Sequence, residues 1–300
     1  MVCNNGHFKF RVRVLSFKIA EELVAQLEPL LDQNIVEFHG NEQTPHIVID
    51  EFLNEDLAQR AESEFPPIGD ARWNYNFHFN EKKLGYNLDY ELPPSVKSLV
   101  EALSSKPFVR YLEKLTKIDC LVPDYNHSTA MHYALAGGFI NLHMDPNVHV
   151  SNHHLERRVN LLLYLNGNWK ESFGGELQIW DSDVTKCYKK VLPAFNRCII
   201  FDTKKVMHGF PDPITCPKDD GRKAIVMYYF TRHNISITQR ITDYKARPSD
   251  SLPVKIKIYF GRVLLYVFYF LRDHFNLSQD TAGKLTKFVE TILSLIKLRK

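Results

Sequence analysis

Residues 157–169 read RRVNLLLYLNGNW, and residues 221–231 read GRKAIVMYYFT. Each is a short run of aliphatic and aromatic side chains, closed by residues that favour turns. That is the length and texture of a buried strand. The same texture extends on both sides, as short apolar runs separated by Gly, Pro, Asn and Asp. It predicts strands near 138–145, 158–166, 175–181, 188–202, 205–210 and 222–231. Many short strands at this spacing, with no helical pattern between them, argue for a sandwich or barrel rather than a doubly wound parallel sheet. The β-core is therefore expected over about 129–231.

The flanks read differently. Ile19, Leu23, Leu27 and Leu30 fall at helical spacing with charges between them. His46–Asp50 suits a strand, and Asn54 followed by Glu55 and Asp56 is an N-cap with an acidic first turn. Pro66-Pro67 ends that helix, and Pro94–Leu115 returns to helical pattern. Residues 68–92, rich in Asn, Tyr, Phe and Trp, read as a long covering loop. Residues 252–300 are again helical, with a stripe of Leu285, Val289, Ile292 and Ile296 behind a cap at Ser278. The expected class is α+β. A β-core lies within a unit spanning 44–231, preceded by a helical extension at 1–43 and followed by a basic helical one at 232–300.

Composition narrows the function classes. The chain has 300 residues and a net charge of +3, too even for a protein built around nucleic acid. Its charge is unevenly placed. Residues 251–300 hold nine Lys/Arg and three Asp/Glu, +6, which leaves −3 for residues 1–250. Five scattered cysteines without a CxxC pair argue against a disulfide framework or a structural zinc site, and for a reducing, cytoplasmic setting. The longest uninterrupted apolar run, Val263–Leu271, is too short to span a bilayer. Lys9, Arg11, Arg13 and Lys18 interrupt the first apolar segment before a signal sequence forms.

The chemistry begins at His143-Met144-Asp145. On a strand, residues i and i+2 share a face, so the imidazole and the carboxylate point together. They supply two members of a 2-His-1-carboxylate set, the ligand group of open non-haem iron sites. Alone the motif is weak: chance supplies about one HxD in a chain of this composition, and a rival stands at His154-Leu155-Glu156. Context strengthens it. His208 follows on a later predicted strand, and Arg222 opens another, its planar fork suited to a carboxylate. Alternation places Arg222, Ala224, Val226 and Tyr228 on one face and Lys223 on the other. His149, His153 and His154 read as a solvated loop, and Gly174-Gly175 as a tight turn.

The ordered stretches LTKIDCLVPD, GGFINLHMDPN, RRVNLLLYLNGNW, GGELQIWD, MHGFPDP and GRKAIVMYYFT resemble the Fe(II)- and 2-oxoglutarate-dependent oxygenases, in particular the prolyl-4-hydroxylase-like branch. The resemblance implies a double-stranded β-helix, or jelly roll. It implies His143, Asp145 and His208 as iron ligands, with Fe(II), 2-oxoglutarate and O2 as cofactor and cosubstrates and ascorbate as reductant. It assigns Arg222 to the distal carboxylate of 2-oxoglutarate, helped by Tyr164, and Tyr133 to the lining of the same pocket. Asn160, inward by alternation with Tyr164, is expected to find its partner in the cosubstrate. The implied reaction hydroxylates an unactivated C–H of a prolyl, peptidyl or amino-acid-like substrate and releases succinate and CO2.

Nucleic-acid demethylation fits poorly, because Tyr228 stands where that branch carries a second arginine. The rival to an enzyme is a catalytically silent jelly-roll binding or scaffold protein, associated with a membrane surface through the basic helices of 251–300. A homo-oligomer is a further option.

Overall fold

In a computed structural model, residues 5–124 and 130–275 are described. Helices α1 (Asn5–Leu27) and α2 (Leu31–His39), separated by a single 3-10 turn, lead to strand β1 (His46–Ile49) and helix α3 (Glu55–Ser63). A hairpin follows, β2 (Trp73–His78) and β3 (Glu81–Tyr86), then α4 (Pro94–Leu103) and α5 (Lys106–Thr116). The remaining strands are β4 (Leu121–Pro123), β5 (Met131–Leu135), β6 (Phe139–Met144), β7 (Val148–His149), β8 (Asn152–Tyr164), β9 (Leu177–Trp180), β10 (Cys187–Val191), β11 (Arg197–Asp202), β12 (Met207–Phe210), β13 (Gly221–Arg232) and β14 (Asp243–Tyr244). Helix α6 (Leu252–Phe275) comes last.

All strand pairs are antiparallel, in the order β1-β11-β8-β13-β5-β3-β6-β12-β9-β10. This is a jelly-roll core within an α+β fold. Strand β8 shows why the sequence builds it. Val159, Leu161, Leu163 and Leu165 face a helix-covered core shared with Leu99, Leu103, Phe108 and Leu112 of α4 and α5. Leu162 and Tyr164 face the inside of the roll, with Ile179, Ile199, Phe201 and Val226. Because both faces are buried, the strand reads as continuous apolar sequence instead of alternating. Helix α1 packs on α4 and α5, and Tyr229 ties β13 to that layer by donating its hydroxyl to the Leu103 carbonyl at 3.0 Å.

The helix starting at Glu55 is capped as read: the Asn54 side chain accepts from the Asp56 amide. Two expectations need correction. Residues 68–92 are not a loop, for β2 and β3 form a hairpin whose second strand pairs with both β5 and β6. The signal was present in the aromatics at 73, 75 and 77, alternating with polar residues. The span 188–202 is two strands. Chain reversal between β10 and β11 places Asn196 at φ 56°, and its side chain exchanges hydrogen bonds with the backbone of Leu53 at 2.9 and 2.7 Å. Asn is among the few residues that tolerate that conformation. The stripe at 285–296 and the Ser278 cap lie outside the described residues.

The described cysteines Cys120, Cys187, Cys198 and Cys216 are free thiols. Among the described residues, no helix is long and apolar enough to cross a membrane.

The two-faced burial of β8 yields a test. Leu163→Ala removes a side chain wedged under the helices and should lower unfolding stability by about 2–5 kcal/mol. Urea unfolding measures it; an unchanged midpoint would contradict the assignment of that face to the core.

Candidate metal and carboxylate site

Antiparallel pairing of β6 with β12 sets His143 directly opposite His208. Their ring centroids are 4.3 Å apart. Asp145 lies just beyond the end of β6, two residues on and therefore on the same side. Ligand atoms of the three residues fall within 4.8 Å of one another, all three side chains being buried; among the described residues no other such group of three occurs. His143 Nδ1 lies 3.0 Å from the Asn141 carbonyl, which as an acceptor requires a proton on that nitrogen and turns Nε2 toward the centre as the ligand atom. Nε2 is 3.5 Å from Asp145 Oδ1. Two imidazoles and a carboxylate, converging from fixed backbone, are a donor set that fits a divalent iron.

The charge of Asp145 is secured from the opposite side. Asn160 Nδ2 donates to Oδ2 at 3.1 Å, and an Arg157 nitrogen lies 3.4 Å from the same oxygen. Burial alone would push this carboxyl up; Arg157, His143 and His208 outweigh it and hold it well below the usual range. Burial, reinforced by His143, lowers His208 to about 3, which keeps its ring neutral. The Arg157 guanidinium is itself held over the Tyr228 ring at 3.9 Å.

Across the cavity stands Arg222, only 3% exposed. Its partners among the described residues are neutral: Nε donates to the Gly175 carbonyl at 2.8 Å, and a terminal nitrogen donates to the Tyr164 hydroxyl at 2.9 Å. The rings of Phe210 and Tyr164 flank it, at 4.2 and 4.6 Å. Burial lowers its proton affinity, partly offset by Tyr164. Gly175, at φ 73°, is more than a turn residue here: a Cβ would come within 3.3 Å of the Arg222 side chain. The cavity between arginine and triad is narrow, about 50 Å³, and its walls include Lys83, His132, Asn160, Val226 and Tyr228. Larger clefts of about 630 and 720 Å³ lie beside α1 and around Pro66-Pro67, away from the triad.

Lys223 points away from the cavity, as alternation required, and pairs with Glu62 at 3.2 Å. Tyr133 is a correction. The β13–β5 register sets Arg222 beside Ala134 and Lys223 beside Tyr133, so even-numbered residues of β5 face inward. His132 and Ala134 line the cavity, while Tyr133 packs outward among Phe65 and Trp73. Asn160 lines the cavity too, but its partner is Asp145. The rival Glu156 is engaged by Lys204 and His233 at 2.9 and 3.1 Å. His149 is buried beside Asp124 rather than solvated.

Sequence reading missed Arg157, Lys83 and Glu81. In β8 the register slips between Tyr229 and Phe230, whose partners are Val159 and Arg157, so Arg158 is skipped. That bulge re-aims Arg157 to the inward face. Lys83 and Glu81, 3.3 Å apart, enter from the hairpin mistaken for a loop. Burial opposes the charge on both, and their mutual attraction overrides it, keeping Glu81 ionised and raising Lys83. Burial and Lys83 together lower His132 well below its ordinary value.

Residues that orient a metal ligand typically contribute 10–100-fold to metal affinity. Asn160→Ala should therefore weaken Mn(II) binding by about that factor, whereas Tyr133→Phe should leave it unchanged. Metal titration of both variants checks this; the reverse pattern would restore Tyr133 to the site.

Residues 128–231 match the family model of the 2OG-Fe(II) oxygenase superfamily. No curated protein matches the sequence. Solved structures that resemble the chain include a Pseudomonas putida prolyl-4-hydroxylase, 17% identical with a TM-score of 0.47, covering 67% of this chain and 100% of that one. A prolyl 4-hydroxylase from Phytophthora capsici is 19% identical with a TM-score of 0.46, covering 93% and 90%. A Trichoplax adhaerens prolyl hydroxylase, solved with a peptide fragment of the hypoxia-inducible factor oxygen degradation domain, is 18% identical with a TM-score of 0.43, covering 76% and 94%. At these levels the structural likeness adds no weight, and the assignment rests on the matched segment together with the His-Asp-His group it contains. The segment 128–231 is that of the 2OG-Fe(II) oxygenase superfamily, and the chain carrying it is a non-haem iron dioxygenase.

Proposed function

We propose that this enzyme hydroxylates an unactivated C–H bond of a prolyl, peptidyl or amino-acid-like substrate. In this reading His143, Asp145 and His208 hold Fe(II), and Arg222 with Tyr164 receives the distal carboxylate of 2-oxoglutarate. The observation that carries it is Arg222. A buried guanidinium with no counter-ion among the described residues is costly, and this one faces a metal-ligand triad across a narrow cavity. A dicarboxylate that reaches from metal to arginine supplies the missing anion. The catalytic unit is assigned to 44–231, with 1–43 and 232–300 as extensions. A reducing, cytoplasmic setting with ascorbate as reductant suits the free thiols.

When bound, iron with 2-oxoglutarate and O2 supplies the oxidising power: 2-oxoglutarate becomes succinate and CO2, and one oxygen atom enters the substrate as hydroxyl. The protein contributes position and electrostatics. Asn141 fixes the tautomer of His143. Asn160 and Arg157 occupy Oδ2 of Asp145, turning Oδ1 toward the histidines and keeping it anionic. Tyr164 and the Gly175 carbonyl hold the arginine fork in place before any ligand arrives. Val226 and Leu162 line the wall between the two ends and keep it apolar.

The direct test is succinate release with Fe(II), 2-oxoglutarate and ascorbate, screened over proline-containing peptides, free amino acids and small metabolites. Metal-dependent succinate formation that His208→Ala abolishes is expected. No metal-dependent turnover of 2-oxoglutarate, coupled or uncoupled, would overturn the reading and favour the silent scaffold. A charge-assisted hydrogen bond is worth about 1.5–3 kcal/mol, so Arg222→Met should raise the KM for 2-oxoglutarate by about 10- to 100-fold. Steady-state kinetics in 2-oxoglutarate measures it, and an unchanged KM would move the carboxylate elsewhere.

A further inference from the structure

Helix α6 is half core and half surface. Ile258 is buried, and Gly261 sits so close to the hairpin that a Cβ there would meet Asn80 at 2.6 Å and Phe79 at 2.8 Å. The helix is pinned to the site-bearing sheet: Asn80, which accepts from Asn141 at 3.1 Å, lies 3.4 Å from the Ile258 carbonyl, and Arg262 pairs with Asp243 of β14 at 3.1 Å. The outward side is apolar. Leu252, Ile256, Tyr259, Val263 and Tyr266 recur at spacings of four, three, four and three, and are 39–69% exposed. At about 100° per residue these five lie within about 80° of one another, opposite Ile258 and Gly261.

The charges flank that stripe on one side. Lys255 and Arg262 fall along one edge, whereas Lys257 turns back toward the jelly roll, its ammonium 5.9 Å from the centre of the Phe139 ring; residues 251–272 contain no Asp or Glu. Arg262 has its partner in Asp243 and Lys255 donates to the Pro248 carbonyl at 2.9 Å, while neither lysine is paired with a carboxylate among the described residues. An aliphatic and aromatic stripe edged by cations is the pattern of a helix lying in a lipid interface. There the apolar face enters the acyl boundary, tyrosine rings sit at headgroup level, and lysines stretch to the phosphates. A second copy of this helix packed antiparallel is a poor occupant, because like edges then meet and set cations against cations with no acid on the helix segment 251–272 to answer them. Lys255 and Lys257 also interrupt the apolar run, and the helix does not qualify as a membrane span.

We propose that the outer face of α6 docks the enzyme on the surface of an anionic phospholipid bilayer, lying flat and leaving the jelly roll in water. The test is co-sedimentation of the full chain with vesicles of phosphatidylcholine alone and of phosphatidylcholine with phosphatidylserine, at low and high salt. Binding to the anionic vesicles is expected, at least tenfold weaker in Lys255→Glu/Lys257→Glu and abolished in Ile256→Ser/Val263→Ser. Neither variant touches the triad or Arg222, so succinate release in solution should be unchanged and reports that both fold. Absence of binding to anionic vesicles would overturn the proposal, as would binding that survives both double variants. A stable dimer in solution that Ile256→Ser/Val263→Ser dissociates would also overturn it, assigning the face to a second copy.

Discussion

The antiparallel register of β6 and β12 is the constraint on which the remainder depends. It sets His143 against His208, and the two-residue period of a strand then adds Asp145 with no further device. A slip of either strand by one residue would turn its histidine to the other face and separate the pair. The close approach is protected at Gly209, where a Cβ would strike the Ile140 carbonyl at 2.7 Å and the Asn141 carbonyl at 2.8 Å. The jelly roll then brings β13, and with it Arg222, to the other side of the same interior.

The cost of that interior is buried charge. Asp145, Arg157, Arg222, Lys83 and Glu81 all lie in or beside one cavity. Four of them fall into pairs, Asp145 with Arg157 and Glu81 with Lys83. Arg222 stands apart with neutral partners, and it is the residue for which a ligand changes the balance most. The bulge in β8 makes the Asp145–Arg157 pair available, since regular alternation would carry Arg157 outward.

Much of this was legible in sequence, because it depends on local period. Apolar runs marked the strands of the core, HxD marked two residues of one face, and alternation separated Arg222 from Lys223. The failures have physical causes. Motif spacing placed Tyr133 in the pocket, but spacing counts residues and not strand parity, which the pairing of β5 with β13 decides. Arg157 was hidden by a register slip visible only once β8 and β13 are paired. Lys83 and Glu81 look like surface charges until the hairpin closes over the roll. Asn160 was correctly turned inward, yet its partner came from a strand end no local pattern connects to it.

The same limit applies to α6. Sequence shows a basic, apolar helix; only its docking through Gly261 shows which half is spent on the core. Beneath all of this lies the claim that His143, Asp145 and His208 form a metal site that works jointly with Arg222 on one dicarboxylate. Calorimetric titration of 2-oxoglutarate into the protein, with and without Mn(II), tests it most directly. The account predicts binding that requires the metal, is lost in Asp145→Ala and is strongly weakened in Arg222→Met. Binding of equal strength with and without metal, or no binding in either case, would contradict it.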